Sequence, residues 1–152
     1  MQLRTLGMSD LKISPILMGT WQAGKDMWVG IDDAQSTRAI RAAVEAGITT
    51  FDTAAAYGKG HSERILGAAV SEMRTEVILA TKVFANRLKY NQVIDYSHRS
   101  LKNLKTDYID LYQIHWPDNT TPIEEAMEAF QMLLDQGKIR AAGVSNYYLD
   151  QM

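Results

Sequence analysis

Gly47-Ile48-Thr49-Thr50-Phe51-Asp52 is the stretch on which the fold turns, because it joins a helix stop to a short strand ending on a carboxylate. Gly47 suits the left-handed residue that closes a helix. The helix before it announces its own start: Asp32 with Gln35 three residues later has the form of a capping box, and Ala39, Ile40, Ala43 and Val44 recur at helical spacing. Thr49 to Asp52 then reads as a strand.

The same unit repeats along the chain. Strand-like runs are predicted at Ile16 to Gly19, Thr49 to Asp52, Val77 to Lys82, Ile109 to His115 and Ile139 to Ser145. A second helix follows Ser62-Glu63, with Ile65, Leu66, Ala69 and Val70 on one face. A third runs from about Asn91, with Val93, Ile94, Ser97, Leu101 and Leu104 in register. Thr121-Pro122-Ile123-Glu124 opens the fourth, with Thr121 at the cap, Pro122 at the first helical position and Glu124 at the third, and Gly137 closes it. Ahead of the repeat, Leu3 to Leu6 and Leu11 to Ile13 flank Gly7-Met8-Ser9-Asp10, which predicts a small hairpin within residues 1–14.

Gly19, Asp52, Lys82, His115 and Ser145 mark the strand ends, at intervals of 33, 30, 33 and 30. A near-constant βα unit with parallel strands fits an open doubly wound sheet or a (β/α)₈ TIM barrel, and eight such units need about 250 residues. Five strands and four helices in 152 residues leave an incomplete barrel as one of the two arrangements.

Composition narrows the classes of function. With 46% apolar residues and 16 Lys plus Arg against 18 Asp plus Glu, the chain reads as one globular domain over residues 1–152 and not as a disordered or fibrous chain. A net charge of -2 argues against nucleic acid or an anionic bilayer as partner. No cysteine is present, so thiolate chemistry and Cys-based zinc sites are excluded. Without an apolar leader or a long apolar run, a cytoplasmic location is expected.

Polar residues fall where a parallel α/β sheet places its chemistry, at the carboxyl ends of strands. Asp52, Lys82, His115 and Ser145-Asn146 end successive strands, and Tyr57 follows Asp52 in its loop. Each has a plain alternative: Asp52 as a cap, Tyr57 as a packing aromatic, His115 as a satisfied core histidine. Lys82 is harder to explain structurally, since a lysine is rarely buried without a partner, and Asp52 is the candidate partner. Together the set suits proton donation. A neighbouring ammonium is expected to lower the Tyr57 phenol toward a useful range, and a neutral His115 can hydrogen-bond the same oxygen. His61, His98 and His115 have no metal-ligand spacing, so no metal is expected, and no serine sits in a nucleophile elbow. The hydride must come from elsewhere.

At these residues the sequence resembles the aldo-keto reductase family. Gly47 through Gly58 is similar to the family's Gly-x-x-x-x-Asp-Thr-Ala-x-x-Tyr-Gly signature, and Ser62-Glu63 follows it. Ala80-Thr81-Lys82 resembles the strand bearing the family lysine, Leu101 through Pro117 its histidine segment, and Gly137-Lys138-Ile139-Arg140 leading to Gly143-Val144-Ser145-Asn146 its next strand. The resemblance implies the first five or so βα units of a (β/α)₈ barrel and reduction of aldehydes or ketones with NADP, NAD remaining open. It implies Tyr57 as general acid, Lys82 as its partner, Asp52 holding Lys82, and His115 orienting the carbonyl. It also implies Gly19, Thr20, Trp21, Asp52, Ser145 and Asn146 at the cofactor. Trp21, Tyr57, Phe84, His115 and Trp116 would then surround a small-molecule carbonyl substrate. The family's later strands supply the rest of its cofactor site, so the chain is expected to be a fragment whose unclosed barrel edge can self-associate. Two alternatives accompany this reading: a catalytically inert truncated product, and a cofactor-sensing regulatory module like the potassium-channel β-subunits that resemble the same family.

Overall fold

The structure, a computed structural model, describes residues 1–151; Met152, the last residue of the expected domain, lies outside them. Two short strands, β1 (Arg4–Thr5) and β2 (Lys12–Ile13), pair antiparallel with Arg4 opposite Ile13. The chain then alternates β3 (Leu17–Gly19), α1 (Asp33–Glu45), β4 (Thr50–Asp52), α2 (His61–Val70), β5 (Ile78–Val83), α3 (Tyr90–Leu104), β6 (Ile109–Ile114), α4 (Ile123–Asp135) and β7 (Ile139–Val144). Each helix returns the chain to the start of the next strand, so β3 to β7 form one parallel sheet in sequence order.

Successive helices pack on one another, α1 on α2, α2 on α3 and α3 on α4, which puts all four on the same face of the sheet. A doubly wound sheet divides its helices between two faces, so the architecture is that of a barrel wall. The pleat sorts the strand residues accordingly. Ala80 and Lys82 lie opposite Leu111 and Gln113 on the helix-free face. Thr81 and Val83 lie opposite Tyr112 and Ile114 on the other, where the fully buried Tyr112 ring sits 5.2 Å from Phe130 of α4. Leu66 and Val70 of α2, Val93 and Leu104 of α3, and Leu133 of α4 complete this core. Burying each such side chain contributes about 1.5–3 kcal/mol. No helix among the described residues is long and apolar enough to cross a membrane.

Several element ends differ from the sequence expectation. The hairpin keeps only two residues per strand, and β3 starts at Leu17, where pairing with Thr50 begins, while the Ile16 carbonyl accepts from Ser14 Oγ at 2.7 Å. β5 runs one residue beyond Lys82, whereas β6 and β7 stop one short of His115 and Ser145. In α1 the forward half of the capping box forms, Gln35 N–H donating to Asp32 Oδ2 at 2.9 Å, and Gly47 at φ +86 ends the helical segment. α2 begins at His61 after a left-handed Gly60, and α3 begins at Tyr90. The Thr121 cap does not form. Pro122 is itself the cap residue, with an extended ψ of 135 that keeps it out of the first turn.

One buried charge escaped the sequence reading. Asp110, on β6 at the end remote from the strand tips, is wholly buried; Arg74 donates to it at 2.7 Å, Arg140 at 2.8 Å and the Leu79 amide at 2.9 Å. These bonds tie the flanks of β5 and β7 to β6, which lies between them. Asp110→Ala leaves the Arg74 guanidinium, 13% exposed, without its carboxylate. The expected cost is about 3 kcal/mol, read as a lowered urea midpoint at pH 7.

Candidate active site

Ladder bonds continue past the strand tips and hold them level. Thr20 N–H donates to Asp52 O, Thr53 N–H to Ala80 O and His115 N–H to Val83 O, each at 2.9 Å, and Ser145 N–H donates to Ile114 O at 2.8 Å. Asp52, Lys82, His115 and Ser145 thereby open onto one cleft of about 560 Å³, together with Tyr57, Asn146, Trp21, Phe84 and Trp116. Two residues expected beside a cofactor do not line it. Gly19 and Thr20 face a separate depression against α1, and Thr20 is buried with its hydroxyl donating to Asp52 O at 3.1 Å.

The centre of the cleft is an ion pair. Lys82 Nζ donates to Asp52 Oδ1 at 2.6 Å and to the Thr53 carbonyl at 2.8 Å, and only 7% of the Lys82 side chain is exposed. The pairing expected from the sequence therefore forms, and the ammonium lies 5.3 Å from the Tyr57 ring centroid. The expected lowering of the phenol does not follow. Burial raises Tyr57 above its ordinary value, and the Asp52 charge raises it further. A carboxylate in contact with Lys82 offsets part of the field that the ammonium would exert alone.

His115 is buried, with Tyr57 and Phe84 edge-on to its ring at 5.7 and 5.6 Å and Trp116 stacked at 6.5 Å. Its Nδ1 is enclosed without a partner, which leaves Nε2 as the nitrogen with access to the cleft. Burial, then the Lys82 charge, lowers its basicity, and Asp52 opposes them. The imidazole is therefore neutral at pH 7.

The loop carrying Tyr57 is held by contacts that no periodicity reveals. Gly58, at φ +61, lies so close to the Gly24 carbonyl that a Cβ there would collide with it, and the Gly58 amide donates to Asp26 Oδ2 at 2.8 Å. Asp26 and Met27 also line the cleft, and Trp28 meets Trp21 edge-on at 5.6 Å. Underneath, Ser62 Oγ donates to Thr20 O at 2.6 Å and lies 2.9 Å from Thr53 Oγ1. Glu63, fully buried, accepts from Thr81 Oγ1 at 2.7 Å and Asn103 Nδ2 at 2.9 Å. Ser62 and Glu63 were legible as helix openers and as the pair that follows the family signature; their bonds hold Thr53 and Thr81, the chain neighbours of Asp52 and Lys82.

A histidine less basic in the folded than in the unfolded chain makes the unfolded state the better proton binder below the usual imidazole value of about 6.5. Stability is thus complete above that value and falls as pH drops from it toward the lowered folded value. Urea titrations between pH 7 and 5 should show this loss, and His115→Gln should flatten it.

Comparison with known proteins agrees with this geometry. The sequence model of the aldo/keto reductase family matches residues 15–152. The aldo-keto reductase YhdN of Bacillus subtilis is 48% identical over 100% of this chain and 49% of its own length. The thermostable aldo-keto reductase Tm1743, solved with the inhibitor epalrestat, superposes with a TM-score of 0.91 at 34% identity, covering 99% of this chain and 56% of that one. An aldo/keto reductase from Klebsiella pneumoniae, solved with NADP and acetate, gives a TM-score of 0.85 at 34% identity, covering 92% and 48%. The chain spans about half the length of the relatives it matches, and its sheet and helices correspond to part of their (β/α)₈ barrel. On the family match, the relatives and the shared fold together, the chain belongs to the aldo/keto reductase family.

Proposed function

We propose that this chain carries the proton-transfer half of a nicotinamide-dependent carbonyl reductase, with NADP as cofactor and aldehydes or ketones as substrates. The observation that carries the reading is the meeting of a protonated phenol and a neutral imidazole in one cleft above a buried ion pair. Neither Tyr57 Oη nor His115 Nε2 makes a hydrogen bond among the described residues, so both are available to a carbonyl oxygen. Tyr57 keeps its proton until that oxygen gains negative charge, then donates it. Lys82 is placed to stabilise the phenolate left behind, and Asp52 balances Lys82 in the resting state.

The residues at the tip of β7 suit a nicotinamide carboxamide. Asn146, in the left-handed region at φ +62, spends its amide N–H groups on the His115 carbonyl at 2.8 Å and Ser145 Oγ at 3.0 Å. Its Oδ1 and the Ser145 hydroxyl proton remain to accept from and donate to such a group. The bound cofactor would supply the hydride that this side-chain set lacks. Trp21, Phe84 and Trp116, each 39–48% exposed, give apolar walls that receive the body of a substrate and exclude water from its carbonyl. NADP is favoured over NAD by the Klebsiella pneumoniae relative.

NADPH titration by nucleotide fluorescence, followed by turnover with a small aldehyde, tests the proposal. Tyr57→Phe should lower kcat by about 10²–10⁴-fold while leaving NADPH affinity unchanged. Retained turnover in that variant would overturn the role of Tyr57. Saturable NADPH binding without turnover of any aldehyde by the parent protein would instead identify a cofactor-sensing module.

A further inference from the structure

A second cleft, of about 370 Å³, adjoins the first and shares Ala56 and Phe84 with it. Its rim brings three cations together from three segments: Lys59 from the loop after β4, Arg87 from the turn after β5, and Arg99 from α3. None has a carboxylate within ion-pair distance among the described residues, whereas Arg74, Lys82 and Arg140 all do. Arg87 and Arg99 share one aromatic ring, their guanidinium carbons 5.7 and 4.8 Å from the Tyr96 centroid, and Arg87 Nε donates to Tyr96 Oη at 3.0 Å. Two like charges on one ring repel, and an anion placed between them relieves that repulsion. Lys59 adds a third charge from a left-handed backbone at φ +52, a conformation costly for a residue with a Cβ. The one acidic residue lining the cleft is Glu63, whose two oxygens are buried and spent on Thr81 and Asn103. It offsets part of the positive charge without reaching any of the three cations.

From this arrangement we infer that the cleft is a subsite for an anionic group, carboxylate or phosphate, at the far end of the carbonyl substrate. The inference rests on the reductase reading of the adjoining site and names the substrate class. The geometry of Phe84 carries the connection. Its ring is 5.6 Å from His115 and also lines the basic cleft, so the two clefts meet at Phe84 and the neighbouring Ala56. Arginine forks suit either anion through paired N–H donors, and the Asn86 side chain at the rim offers a neutral donor beside them.

The test compares hexanal with 6-oxohexanoate, which differ by the terminal carboxylate, in protein that turns over hexanal with NADPH. Arg87→Gln combined with Arg99→Gln should raise KM for 6-oxohexanoate about tenfold, leaving its kcat and both constants for hexanal unchanged. Equal changes for both aldehydes, or none for the oxo acid, would overturn the subsite. Inorganic phosphate separates the two sources of anion. Competition with 6-oxohexanoate, lost in the double variant, supports a substrate-tail site, whereas phosphate binding that leaves oxo-acid kinetics untouched assigns the cleft to a free anion and overturns the proposal. Failure of the reductase reading is seen separately, as no turnover of either aldehyde. Adipate then decides the subsite by binding alone: saturable shifts of arginine Nε–H resonances, abolished in the double variant, are expected, and their absence would refute it.

Discussion

The contact between Lys82 and Asp52 is the constraint around which this half of the barrel is organised. An ammonium cannot lie this deep without a carboxylate, and the 2.6 Å bond between them crosses from β5 to β4 at the level where the sheet ends. The second bond, to the Thr53 carbonyl, fixes where the loop toward Tyr57 begins. One lysine thus joins two strand tips and the start of the loop that carries Tyr57. Beneath it a set of buried polar groups is bonded together, Ser62 across to Thr20 and Thr53, and Glu63 to Thr81 and Asn103. Buried polar groups that are fully bonded specify a single arrangement, which is what a site measured in tenths of an ångström needs.

Charge pairing has a price in acidity. Asp52 offsets part of the ammonium's field at Tyr57, and burial together with the Asp52 charge makes the phenol hold its proton more tightly than in water. His115 is governed by the same burial with the opposite sign of charge, and becomes less basic. The two groups are thus kept neutral together, each with a proton to share and neither charged at rest. An oxygen placed between them meets donors whose field strengthens as its own charge develops.

Much of this was written in the sequence because strand tips recur at nearly constant spacing and their polar residues interrupt apolar runs. Asp52, Lys82 and His115 could be read that way, and their convergence follows from parallel pairing alone. Asp110 could not, since a carboxylate second in a strand looks like an exposed position until Arg74 and Arg140, distant in sequence, are seen to meet it. Asp26 lies in a loop without period and reveals itself only through the Gly58 amide. Thr20 was expected beside the cofactor from the family resemblance alone, and its hydroxyl is bonded to the Asp52 carbonyl. The helix openings show the limit of local chemistry: Asp32 caps as written, whereas Pro122 takes the cap place that Thr121 seemed to own.

The sheet order has a bearing on how such a chain is assembled. Gly19 pairs with Asp52, Asp52 with Ala80, Ala80 with Leu111 and Leu111 with Ala141, so every new strand docks on the one made just before it. Each step closes a loop of roughly 30 residues, and the entropy of closure stays nearly constant from one unit to the next. A ribosome releasing these five strands in order delivers each of β4 to β7 directly to the edge of the strand before it. The ion pair at the tips of β4 and β5 can close as soon as the third parallel strand has emerged, so the chemistry-bearing corner is set early in synthesis.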